Sequence, residues 1–177
     1  MDVWYGAAMT PDHARLMARY NAWQNDHLLA AADTLSDDAR WDDRGAFFGS
    51  IAQTLNHVLW DDAVWLARIM GDASEVARLD RDFPYTEEPR DWAVFRDKRQ
   101  EVDASLVRWA AMLTDDDLAA GRSFDLGADR VETTVAVMAA QLFNHQTHHR
   151  GQVHAMLTAA GAETAPTDLM MMVLGRA

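Results

Sequence analysis

The placement of proline constrains this chain more than any other feature. Pro11, Pro84, Pro89 and Pro166 are the only prolines, and each falls where a helix can begin or cannot continue. The long stretches between them carry helical periodicity. The first spans residues 11–35: Thr10-Pro11-Asp12 reads as an N-cap with proline at the first helical position, and Leu16, Tyr20, Trp23, His27 and Leu28 recur at helical spacing. Residues 36–49 are polar and contain glycine, and read as a connection. A second helix opens near Ser50 and closes at Gly71, a residue suited to the left-handed position after a helix. Residues 80–90 hold Pro84 and Pro89, which exclude a regular helix there. Asp91 caps a third helix that continues to about Thr114. Residues 121–130 read as a turn, and a fourth helix opens near Thr133 or Thr134 and closes at Gly161. The pattern predicts an all-α chain, an up-down four-helix bundle with long connecting loops, forming a single domain over residues 1–177.

Composition narrows the function classes. The formal net charge is −12 with scattered basic residues, which argues against nucleic acid and against an anionic membrane surface. Cysteine is absent, so disulfides, thiolate ligands and a cysteine nucleophile are excluded, and any metal must be held by nitrogen and oxygen. Met1-Asp2-Val3-Trp4-Tyr5 lacks the basic and apolar regions of a signal peptide, and no apolar run approaches the ~20 residues of a membrane span. The expectation is a soluble cytoplasmic protein. No G-x-S-x-G motif and no phosphate-binding glycine loop is present.

The chemistry concentrates in Asn144-His145-Gln146-Thr147-His148-His149-Arg150-Gly151-Gln152-Val153. His145 and His149 stand one turn apart on one helix face. They lie on the seam Met138, Leu142, His145, His149, Gln152 and Met156, where a bundle helix turns inward. Two buried imidazoles need partners for both ring nitrogens. A divalent metal supplies one and a neighbouring oxygen the other. The alternative is two core histidines satisfied by hydrogen bonds. His148 competes with His149 as a ligand, but His149 continues the seam better. His57 is the candidate third ligand, although it lies roughly 140° from the apolar arc of Ile51, Leu55, Val58, Leu59, Leu66 and Ile69. Against that, Trp60, Val64 and Trp65 make the rest of the helix apolar too. Asp61, one turn after His57, is a candidate fourth ligand, base or outer acceptor. Arg150 and Gln152 are candidates to orient an anionic substrate or a ligand, or Arg150 is a solvated position. His13 and His154 read as exposed, and His27 as filling space beside its stripe.

These blocks resemble the DinB family, within the larger DinB/YfiT-like group. The resemblance rests on the helix-four block from Phe143 through Gln152 and on Ser50-Ile51-Ala52-Gln53-Thr54-Leu55-Asn56-His57. It extends to Tyr20-Asn21-Ala22-Trp23 and Pro166-Thr167-Asp168-Leu169. It implies a four-helix bundle, often a homodimer, with a histidine triad of His57, His145 and His149 holding one divalent metal, zinc or nickel foremost, with iron and copper also suited. The family's damage-inducible label concerns gene regulation and implies no DNA chemistry. Three neutral histidines leave a coordination position open, which fits a metalloenzyme. Related groups use low-molecular-weight thiols, so the resemblance implies a thiol-dependent S-transferase or detoxification activity in a stress response, with Asp61 and Arg150 as candidate catalytic residues. A metal-dependent hydrolase and a non-catalytic metal-binding stress protein are the alternatives.

Overall fold

The computed structural model describes residues 9–82 and 86–176. The N-terminal residues read for a leader, and Pro84, lie outside them. The fold is mostly helical. Helix α1 (Pro11–Asp33) opens as expected, with the Thr10 hydroxyl accepting from the His13 backbone N–H and Pro11 at the first position. A five-residue helix α2 (Asp37–Trp41) breaks the following connection. Helix α3 (Ile51–Met70) begins where Ser50 accepts from the Gln53 N–H and ends at Gly71, whose φ of 74° is left-handed. Helix α5 (Trp92–Met112) follows a short α4 (Ala73–Asp82), with Asp91 capping the Ala93 and Val94 N–H groups. Helix α6 (Asp115–Ala119) leads to strands β1 (Gly121–Leu126) and β2 (Asp129–Thr134), and then to α7 (Val135–Ala159) and α8 (Leu169–Val173). Among the described residues no helix is long and apolar enough to cross a membrane.

Two apolar clusters and the layer between them set the direction of each long helix. One cluster gathers Ala14 and Ala18 of α1, Trp65 and Ile69 of α3, Leu106 and Trp109 of α5, and Met138 and Leu142 of α7. The other gathers Leu28, Leu55, Phe95 and Met156 with their neighbours. Helices α1 and α7 therefore run from the first cluster to the second, and α3 and α5 run the opposite way. This corrects the up-down order: α3 and α5 are parallel. The connection of residues 71–91, which carries α4, is long enough to return the chain to the end where α3 began. The four long helices touch in a cycle, α1 on α5 and α7, α3 on α5 and α7.

Between the apolar clusters lies a polar layer to which each long helix contributes. Arg99 donates to Asp62 at 2.6 Å and, through two nitrogens, to Asp103 at 2.9 and 3.1 Å. Asn25 donates to Asp103 at 2.9 Å, and Gln146 donates to Asp62. Arg150 donates to Gln146 at 2.5 Å and to Asn21. This layer explains why the buried face of α1 differs from the expected stripe. Ala14, Ala18, Asn21, Gln24, Asn25 and Leu28 are buried, while Leu16, Tyr20 and Trp23 are only half-buried. Apolar periodicity cannot find a face whose centre is asparagine and glutamine.

Two further local readings change. Residues 121–130, read as a turn, belong to an antiparallel hairpin that pairs Phe124 with Val131. The turn itself is confined to residues 126–129, where Gly127 takes a φ of 62°. Phe124 packs edge-on against Trp65 at 5.4 Å, which anchors a mostly polar ribbon to α3. Helix α4 runs to Asp82, past the expected limit at residue 80. Its Val76 and Leu79 pack with Trp60 and Val64 of α3, covering a second side of that helix.

Candidate metal centre

His57 comes from α3, and His145 and His149 from α7. The Nε2 atoms of His57 and His149 each lie 3.1 Å from Nε2 of His145, and the three residues can present one ligand atom each within 4.8 Å of one another. His57 and His149 are buried and His145 is half-buried. The position of His57, far from the strongest apolar arc, no longer argues for exposure, because α3 packs on more than one side. Of the two competing histidines, His149 joins the cluster. His148 instead lies at the helix exterior, its Nε2 3.2 Å from the Gln152 amide nitrogen.

The outer nitrogens of the α7 pair are held by oxygen. His149 Nδ1 donates to Gln152 Oε1 at 2.8 Å, and the contact of the Gln152 amide nitrogen with His148 sets which end of that amide faces His149. His145 Nδ1 lies 2.9 Å from Asp61 Oδ2, an ion-pair distance, although the two are not aligned as a hydrogen bond. Gln152 thus orients a ligand-type histidine, and Asp61 stands behind His145 as an outer acceptor. Burial pushes the His57 ring down to about 4, with the charge of His145 adding to the effect and Asp61 opposing it. Burial also lowers His149, against the Gln152 hydrogen bond. Both rings are thereby kept neutral, the state that binds metal.

This donor set fits a divalent ion. With its Nδ1 proton on Gln152, His149 carries a bare lone pair at Nε2, and the carboxylate of Asp61 beside Nδ1 of His145 favours the same tautomer there. Two lone pairs facing each other at 3.1 Å repel unless a cation lies between them. Metal–nitrogen bonds of about 2.0–2.1 Å at a tetrahedral ion bring ligand nitrogens to roughly 3.3 Å from one another, close to the separation found.

Sequence reasoning missed Phe48. Its ring lies 4.0 Å from that of His57 and 5.4 Å from that of His149, so it covers two of the three imidazoles. It belongs to the connection read as polar, in a loop folded back by the Arg44 N–H donating to the Gly49 carbonyl at 2.9 Å. The paired Phe47-Phe48 was the available signal. Arg150 is buried rather than solvated, and its hydrogen-bond partners are Asn21, Gln146 and Thr147. His13 is exposed as expected, the His27 ring packs tilted against Trp23 at 4.2 Å, and His154 is half-buried rather than exposed.

The model of the DinB family matches residues 9–173. The chain is 25% identical over 172 residues to Protein DinB of Bacillus subtilis (strain 168), covering 89% of this chain and 91% of that protein. Its fold is similar to the crystal structure of a DinB-like protein from Bacillus cereus ATCC 10987, with a TM-score of 0.59 at 19% identity, covering 81% of this chain and 90% of that one. The chain belongs to the DinB family.

Proposed function

We propose that the protein is a metal-dependent enzyme that holds one divalent ion, zinc or nickel, through Nε2 of His57, His145 and His149, and acts on a small-molecule substrate with a low-molecular-weight thiol as cosubstrate. The observation that carries this reading is the pair of 3.1 Å contacts that bring Nε2 of His57 and of His149 onto Nε2 of His145, with His149 Nδ1 bonded to Gln152 and Asp61 beside His145 Nδ1. When bound, such an ion supplies Lewis acidity and lowers the pKa of a water or thiol that joins it. The chain has no cysteine, so a reacting sulfur has to arrive with the cosubstrate.

The residues around the triad have separable tasks. Gln152 and Asp61 hold the rings of His149 and His145, a positioning role in both cases. Phe48 excludes water from one side of His57 and His149 and strengthens electrostatic interactions beneath it. Asp61 lies on the Nδ1 side of His145, so it supports an open, three-histidine site better than a closed one with a fourth protein ligand.

Elemental analysis of protein purified without an affinity tag or chelator tests the reading. Near-stoichiometric metal in the native chain, lost in both His57→Ala and His149→Ala, is the expected result. No metal, even after zinc or nickel is added, overturns it. With cobalt substituted at the site, the expected response to added thiol is a new sulfur-to-cobalt absorption band. Its absence for every thiol tried would sink the transferase assignment and leave the metal site standing.

A further inference from the structure

Helix α7 presents a second polar surface, on a different face from the histidine pair. Thr147, Arg150, Gly151 and His154 follow helical i, i+3, i+4, i+7 spacing and wall a cavity of about 230 Å³. Tyr20 and Gln24 of α1 form its other side, and Thr167 closes one end. The Tyr20 hydroxyl donates to the Thr167 carbonyl at 2.5 Å and ties that segment down. Every lining residue is polar or glycine, and none belongs to either apolar cluster.

The wall is short of acceptors. Gln24 is 4% exposed, and its amide nitrogen has no hydrogen-bond partner. The same holds for the amide nitrogen of Asn21 beside it. Arg150, also 4% exposed, donates only to neutral oxygens, those of Asn21 and Gln146 on one nitrogen and, at 3.4 Å, Thr147 Oγ1 on the other, and its guanidinium lies 5.7 Å from the centroid of the Tyr20 ring. Among the described residues no carboxylate forms an ion pair with it. Asp62 is reached only through Gln146. Burial pulls the guanidinium down to about 10, against the more distant attraction of Asp62. A buried guanidinium has five donors to satisfy, and a directly bound anion is its strongest partner. Over Gly151, a Cβ built on the backbone meets nothing within 4 Å, so the space is open.

We propose that this cavity binds a small oxyanion, a carboxylate or phosphate group, received by Arg150 with the Gln24 amide as flanking donor. The site is local by construction. A chain of net charge −12 does not gather anions over its surface, so occupancy here depends on these donors and not on a general field. The inference does not depend on the metal, because the donors and the opening over Gly151 belong to the α1-facing side of α7.

The test is calorimetric titration of the native chain with inorganic phosphate and, separately, with acetate. Ionic strength is fixed with potassium chloride, and the protein is treated beforehand with chelator so that no metal competes for the anion. Saturable one-site binding of either anion is expected, and the preferred one identifies the class. Gly151→Leu fills the open space and exchanges a poor helix former for a good one, so it folds. It is expected to weaken binding at least tenfold, as is Arg150→Gln. No saturable binding of either anion overturns the proposal. So does binding that Gly151→Leu leaves unchanged, or binding that is lost in His149→Ala.

Discussion

Buried polar groups on the two sides of α7 are handled in opposite ways. In the layer shared with α1, α3 and α5, donors meet acceptors: Arg99 lies between two carboxylates, and Gln146 links Asp62 to Arg150. Beside α3, His145 and His149 turn acceptor nitrogens toward each other and toward His57. The first arrangement satisfies its charged groups within the chain, whereas the second, on the reading proposed above, is completed by a bound ion. Native folding therefore has to hold the histidines together against their own preference, and the charged layer one step further along α7 supplies the rigidity to do so.

The largest expected effect separates the two directly. Arg99→Met leaves Asp62 and Asp103 buried without their cation and is expected to cost about 3–5 kcal/mol, read by urea denaturation with or without metal. His149→Leu removes one of the confronting bases. It is expected to abolish metal binding while leaving the stability of the metal-free chain within about 1 kcal/mol of native, or raising it, since an apolar side chain of similar size suits a seam position. If His149→Leu is as destabilising as Arg99→Met, the contrast fails.

Smaller effects sharpen the same contrast. Gln152→Leu and Asp61→Asn each disturb the hold on one ligand ring, and a 10–100-fold loss of metal affinity is expected by competition with a chromophoric chelator. The metal-free chain should also respond to acid through His57. Its folded value of about 4 lies below the 6.5 of an unfolded imidazole, so the unfolded chain takes up the proton first. Stability from this group is present above pH 6.5 and is lost as pH falls toward 4. Thermal unfolding across that window should show the decline, and His57→Gln should flatten it. Smallest is Gly127→Ala, where left-handed backbone and a new Cβ conflict at a cost of about 1 kcal/mol. Metal affinity should not change, because the hairpin touches neither polar region.

Three of the four long helices were legible at ends marked by short polar side chains: Thr10 and Asp91 cap as read, Ser50 caps the helix expected to open near it, and Gly71 ends α3, whereas α7 opens at Thr134 without a side-chain cap. The α7 seam was legible as well, since Met138, Leu142, His149 and Met156 are buried along it. Their relative directions were not. Helix direction depends on whether a connection crosses the molecule, and residues 71–91 give no local signal of that. His57 was ambiguous for a related reason: periodicity reports one buried face, and α3 is covered by α4 as well as by α7. The polar layer was invisible to any apolar pattern, and Phe48 lay in a loop where no periodicity applies.

Along α7 the two histidines of the proposed metal site, the bridging Gln146 and the cavity residues interleave within ten positions. A single inserted or deleted residue there turns all that follows by about 100° relative to what precedes it. No such change can spare one feature while disturbing another, so this stretch behaves as one reading frame. The turn at residues 126–129 is free of that coupling, and it is where a tag, a fluorophore loop or a permuted terminus can be accommodated with all three features intact.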